Sequence, residues 1–320
     1  MLSRVADSLY WMGRYVERAE HIGRLLQVRI DSAIEQNDAE AVRSWRRLVA
    51  ALQLPVPTTE NCNSAEIAEY VTKSADNPSS LMHCIAGARD NARQVREQIT
   101  SEMWENLNRL YLRLRALDFE KVWRSGAGEF YADIIADLHL LHGVTEATMR
   151  HAEGWHFLQL GRYIERAQLL CHLFDVHFGN MPSGVPDDLK DCDHFEWFAL
   201  LRGCGGFEAY IKVYTADVRP TSIADFLIFD PLFPRALRFA VDRVAQELAR
   251  IGRGADEKRH AALMRMAGRL KAQLDYGHVD EVLADGADRY VDDVQRACEG
   301  IHTAIYETYI GYGVDAVVAA

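Results

Sequence analysis

Leu9-Tyr10-Trp11-Met12-Gly13-Arg14-Tyr15-Val16-Glu17-Arg18-Ala19-Glu20 returns as Phe157-Leu158-Gln159-Leu160-Gly161-Arg162-Tyr163-Ile164-Glu165-Arg166-Ala167-Gln168, a shift of 148 positions (161 − 13). From Gly13 to Ala19 the one difference is Val16 against Ile164. Composition does not produce such a match, so an internal duplication is the first inference. The first copy reads as helix. Val5, Leu9, Met12, Val16, Ala19, Gly23 and Leu26 fall on one stripe at three- and four-residue spacing. Tyr10, Arg14, Glu17 and His21 form a polar stripe on an adjoining face.

The match continues along the chain. Trp197 follows Trp45 by 152 positions, and Ile223 to Leu227 echoes Ile67 to Val71 at 156. Pro234 echoes Pro78 at the same shift, and Arg265 and Leu270 echo Arg109 and Leu114. A shift that grows slowly and never reverses fits one duplication with small loop insertions. Helical periodicity predicts helices from Ala41 to Leu54, stopped by Pro55 and Pro57, and from Ala65 to Thr72, capped by Ser64. Others are predicted from Leu81, capped by Ser80, from Ser101, and, after an interruption at Gly126 and Gly128, from Phe130 to Leu141. No strand-length alternation competes. The expected fold is all-α, a helical bundle of two tandem pseudo-symmetric repeats, 1–142 and 143–320, sharing one core about an approximate two-fold axis.

Composition excludes some functions. With 320 residues, 49% hydrophobic and 26% charged, the chain has a globular balance. Its net charge of −11 argues against general nucleic-acid binding and against an anionic membrane surface. No signal peptide is visible after Met1, and no run of eighteen apolar residues exists. Six scattered cysteines without Cys-x-x-Cys suggest reduced thiols, so a cytoplasmic protein is expected.

The repeated Gly-Arg-Tyr-x-Glu-Arg-Ala carries the main candidate site. A surface Arg–Glu pair is worth only ~0.2–0.5 kcal/mol, too little to hold the pattern in both copies. One reading is a partly buried Arg–Glu network where the copies pack, with Gly13 and Gly161 allowing close approach. The other is an anion or carboxylate cradle built from Arg14, Glu17, Arg18, Arg162, Glu165 and Arg166.

A second candidate lies on Arg89-Asp90-Asn91-Ala92-Arg93 and Ser101-Glu102-Met103-Trp104-Glu105. The second unit has Ala245-Gln246-Glu247-Leu248-Ala249 instead, so the Arg-rich pattern belongs to one half. Either it is a solvated charged face over a core Trp, or Arg89, Glu102 and Trp104 help build a binding surface that extends the repeated network.

Metal ligands are sparse. His139, His142 and Glu146 share a face, and Glu153–His156 and Glu257–His260 are Glu-x-x-His pairs. Neither pair has a counterpart in the first unit, so the di-iron bundle pattern is not reproduced. No metal and no cofactor are expected. Phosphate-binding glycine loops and a nucleophile elbow are absent, and the adjacency of Cys192, Asp193 and His194 is not the geometry of a Cys–His pair.

Several stretches together resemble the bacterial alpha-E domain family: Met1 to Glu20, Asn77-Pro78-Ser79-Ser80, Ala88 to Arg93, Ser101 to Glu105, and Gly161 to Ala167. The resemblance covers essentially the whole chain. It implies a helical protein encoded beside a circularly permuted ATP-grasp ligase and a transglutaminase-like protease. The expected function is thus a helical partner or scaffold subunit of an ATP-grasp-associated peptide-ligating or peptide-modifying system, with the ligase as partner. The turns Asp76-Asn77-Pro78 and Leu232-Phe233-Pro234 are not chemically equivalent, so no role is carried between them.

Two other readings stay open. An enzyme acting on an anionic or peptide substrate would use Glu17 or Glu165 as acid or base, with the repeated arginines holding the substrate. A purely structural or oligomerising protein would show exposed apolar helix faces. Without a complete catalytic motif, the balance leans against an enzyme.

Overall fold

A computed structural model describes residues 1–33, 38–55, 63–179, 194–215, 218–252 and 257–311. The first repeated stretch lies in α1, Ser3–Ser32, and the second in α7, Glu153–Phe178. Both helices are buried on nearly every face, which sets the architecture. Nineteen of the thirty residues of α1 are buried, so the polar stripe of Tyr10, Arg14, Glu17 and His21 must find its partners inside the protein. Expected on an adjoining face, that stripe is part of the interior.

Around this pair the chain adds α2 (Asp38–Ala51), α3 (Ser64–Lys73), α4 (Leu81–Gln94), α5 (Ser101–Arg115) and α6 (Phe119–Thr148). After α7 come α8 (His194–Gly203), α9 (Phe207–Tyr214), α10 (Pro220–Phe229), α11 (Leu237–Ile251), α12 (Glu257–Tyr276), α13 (Val279–Asp285) and α14 (Ala287–Ile305). A π-helical turn, Tyr306–Ile310, follows. The fold is all-α, with no strand among the described residues. α1 packs on α4 and α6, which α5 joins from outside; α7 packs on α11 and α14, joined by α12. One hydrophobic cluster runs through all of these helices.

Glycine decides how close the central pair comes. A Cβ at Gly13 would stand 2.1 Å from the carbonyl oxygen of Leu158, and one at Gly161 would stand 2.0 Å from that of Tyr10. Each glycine therefore rests on the other helix's backbone, an approach that no side chain permits.

Local signals need some correction. The side chain of Asn63, not Ser64, caps α3, accepting from the Ala65 amide at 3.0 Å, and α3 begins at Ser64. Ser80 caps α4 as expected. The second helix ends at Ala51, short of Leu54, and Pro57 lies outside the described residues. Gly126 alone breaks the helical path, at φ 147°; helix resumes at once and runs past Leu141 to Thr148. Position 142 therefore lies inside α6. Among the described residues, no helix is long and apolar enough to cross a membrane. Cys84, Cys171, Cys204 and Cys298 are free and buried, whereas Cys62 and Cys192 lie outside the described residues.

Candidate functional site

The two copies of the motif bond to each other across the α1–α7 contact. Glu165 accepts from Arg14 Nε at 2.6 Å and from Arg18 Nε at 2.6 Å. Glu17 accepts a two-pronged pair of bonds from Arg166, Nε and Nη2 both at 2.7 Å. It also accepts from Arg162 Nε at 3.3 Å. The carboxylates of Glu17 and Glu165 are 1% and 2% exposed, so these are interior ion pairs. Burial alone would raise both carboxyls; the guanidiniums outweigh it and hold both below the usual carboxylate range. Six of the nine expected site residues are thus brought together: Arg14, Glu17, Arg18, Arg162, Glu165 and Arg166.

The remaining three do not join them. Arg89 donates to Asn108 Oδ1 at 2.8 Å and lies over the rings of Tyr111, at 4.5 Å, and Trp104, at 5.5 Å. Glu102 is exposed in the first turn of α5. Instead of extending the repeated network, Arg89 and Trp104 form a local α4–α5 cluster: packing and cation–π contact hold the arginine against α5.

Other residues extend the cluster that the motif begins. Arg235, just after Pro234, donates to Glu17 Oε1 at 3.3 Å and also to Glu20. Glu20 further accepts from Arg24, and from Nε2 of His139 and His142 at 2.8 and 3.1 Å. Burial and the nearby Arg162 charge push His142 down to about 4, so its ring is neutral near pH 7. Glu17, Glu20 and His142 bring ligand-type atoms within 4.8 Å of one another. A cation placed there would face Arg24, Arg162, Arg166 and Arg235, so the group reads as ion-paired carboxylates and not as a metal centre. The Glu-x-x-His pairs do not converge either. His156 faces Glu247 at 2.6 Å, Glu153 faces the Met1 amine at 3.0 Å, and His260 bonds the Tyr309 hydroxyl.

The Glu165 end differs from the Glu17 end. There Arg14 Nη2 donates to Gln168 Oε1 at 2.8 Å, and its guanidinium lies 4.8 Å from the centre of the Trp11 ring. Nδ1 of His302, from α14, lies 2.8 Å from the Tyr10 hydroxyl; burial and the Arg14 charge push this histidine down to about 4. A pocket of about 300 Å³ opens beside Arg14 and Arg18, lined also by Ser79, Gln168, His172 and Glu299. Arg18 is 22% exposed, the most open of the motif's charged residues. Across both ends, six guanidiniums (Arg14, Arg18, Arg24, Arg162, Arg166, Arg235) meet three carboxylates (Glu17, Glu20, Glu165). In a chain of net charge −11 this is a local concentration of positive charge.

Three mycobacterial proteins are similar to this chain in sequence. Uncharacterized proteins of Mycobacterium bovis and of Mycobacterium tuberculosis (strain CDC 1551 / Oshkosh) are each 25% identical over 94% of this chain, and a further one from M. tuberculosis strain H37Rv is 24% identical over the same share. The chain spans 35% of the length of each. No solved structure matches. Residues 1–310 match Alpha-E, described as a predicted alpha-helical domain with a conserved ER motif. The dipeptide Glu-Arg occurs in this sequence at 17–18 and 165–166, the two places where the carboxylates and guanidiniums interlock. The chain belongs to the Alpha-E family.

Proposed function

We propose that this Alpha-E domain is a helical partner or scaffold subunit of an ATP-grasp-associated system that ligates or modifies peptides. The length of the relatives carries the reading. The matched region is 35% of each mycobacterial chain, so there the domain is joined to a larger stretch of other polypeptide. The geometry supports a non-catalytic role for Glu17, whose two carboxylate oxygens are both held by guanidiniums. The ligase enters through the family resemblance. Co-expression with a circularly permuted ATP-grasp ligase encoded beside the domain, followed by size-exclusion chromatography, tests it. One co-eluting peak is expected, and two independent peaks would overturn the proposal.

The same reading treats the chain as two copies of one unit, 1–142 and 143–320, about an approximate two-fold axis. Its support is the reciprocal bonding of Glu17 and Glu165, the paired glycine contacts, and the like surroundings of α1 and α7.

A second reading has the pocket behind it: an anionic or peptide substrate held against Arg14 and Arg18. Glu165, kept ionised by two guanidiniums, is a poor proton carrier, so the pocket is read as a binding site more than a catalytic one. Calorimetric titration with small carboxylates tests this; no heat from any of them at millimolar concentration would exclude it.

A further inference from the structure

We infer that the pocket beside Arg14 and Arg18 binds a small zwitterion of amino-acid size, its carboxylate toward the arginines and its ammonium toward Glu299. The inference rests on the duplicated unit and on the pocket as a ligand site.

The filled end of the charge cluster shows what the open end lacks. Glu20 and Arg24 on α1 are followed 148 positions later by Gln168 and His172 on α7. Arg235 stands 156 positions after Ser79, the shift that also relates Pro234 to Pro78. Glu20, Arg24 and Arg235 meet at the filled end, where Glu20 accepts from both arginines. Gln168, His172 and Ser79 line the pocket at the other. Three long charged side chains are thus matched by three residues that are smaller or uncharged. What occupies the filled end is a carboxylate held among cations, and the corresponding space beside Arg18 is open.

Charge selects the ligand, and a pocket of about 300 Å³ has room for an amino acid. Among the charged lining groups, Arg14 and Arg18 are balanced by Glu165 and Glu299. A phosphate dianion would meet two carboxylates, and a bare cation would meet two guanidiniums. A ligand with one charge of each sign avoids both penalties. Polar donors are in place for its carboxylate: Arg18 has only its Nε on Glu165, and Gln168 accepts from Arg14 through Oε1, which leaves its amide N–H groups to donate. Glu299 supplies the other pole. It stands 160 positions after His139, the spacing that also separates His302 from His142. His139 faces the Glu20 carboxylate at the filled end, so at the open end an acid stands where the other half carries an N–H donor, and an acid calls for a cation.

Isothermal titration calorimetry on the full chain tests this with L-alanine, L-glutamate and L-arginine, against propionate, alanine amide and inorganic phosphate. At least one amino acid is expected to bind ten-fold or more tightly than propionate or alanine amide. Glu299→Gln, a change at an exposed position that the fold tolerates, should weaken that binding about ten-fold and leave propionate unaffected. Gln168→Glu with Ser79→Arg should abolish it by recreating the filled end, with the thermal midpoint retained. Propionate or phosphate binding as tightly as every amino acid would overturn the zwitterion and leave an anion pocket. Silence from all six probes would overturn the zwitterion and the pocket reading together.

Discussion

Gly161 sits so close to Tyr10 that an added Cβ would fall 2.0 Å from the Tyr10 carbonyl oxygen. The obstacle is backbone, which cannot swing aside as a side chain would. Gly161→Ala should therefore force α1 and α7 apart and destabilise the protein by about 3 kcal/mol or more, the upper end of overpacking effects. Gly143 and Gly268 are helical glycines where a Cβ would meet nothing within 4 Å, so alanine there should stabilise by roughly 0.5–1 kcal/mol. Urea denaturation of the three variants checks the contrast. Equal effects at Gly161 and Gly143 would mean that the two helices do not meet backbone to backbone.

Glu17→Gln keeps the shape of the side chain and removes the charge that three arginines share. Arg166 is 4% exposed and would lose its partner without gaining water. The expected destabilisation is about 3–5 kcal/mol, the range for breaking a buried pair from one side. Glu102→Gln, on an exposed side chain, should stay within about 0.5 kcal/mol of the parent. Chemical denaturation of both variants reads the difference, and an unchanged midpoint for Glu17→Gln would show that the buried network contributes nothing to stability.

Stability should begin to fall on acidification well before ordinary carboxylates protonate. Burial first, and then nearby arginines, push His142 and His177 down to about 4 and His21 to about 3. The folded groups thus titrate below the unfolded value of roughly 6.5. As pH drops from there toward about 4, the unfolded chain takes up protons that the native chain refuses. Each histidine then contributes a loss of up to about 1.4 kcal/mol per pH unit. Glu17, Glu20 and Glu165 are depressed, so their contribution is full above roughly 4.3 and is lost below it. Both sets favour neutral pH. Thermal midpoints measured from pH 8 to pH 4 should be level above 7 and decline below 6.5; a curve flat down to pH 5 would contradict the buried neutral rings.

Four thiols should be silent in the native protein. Burial pushes Cys84, Cys204 and Cys298 up to about 12 and Cys171 well above its ordinary range. The reactive thiolate is therefore suppressed as well as shielded. Iodoacetamide labelling with peptide mass mapping should leave these four unmodified until denaturant is added. Rapid labelling of any one would place it outside the core.

Much of this could be read from the repeated stretch. Its glycines marked a close contact, and its arginines and glutamates marked a shared interior, because a surface role would not hold both copies alike. The partners of Glu20 were hidden. Arg235 arrives from 215 positions away, on a turn whose sequence counterpart, 156 positions earlier, looks unrelated. Helical spacing relates neighbours on one helix and says nothing about such a reach. The pocket left a fainter sign: Gln168 where the first copy has Glu20. Arg89 and Trp104 misled in the opposite sense, since a charge-rich helix next to an aromatic gives the same pattern whether it faces a remote cluster or its own neighbour.

The interlocking of Gly13 with Leu158 also has a consequence for synthesis. The two surfaces lie 145 positions apart in the chain (158 − 13), so the first waits for the second to emerge from the ribosome. At about 5–20 residues per second the delay is roughly 7 to 30 s. Throughout it, a helix carrying both a hydrophobic stripe and unpaired charges has no permanent seat, which makes the nascent first half a natural client for chaperones that shelter incomplete chains.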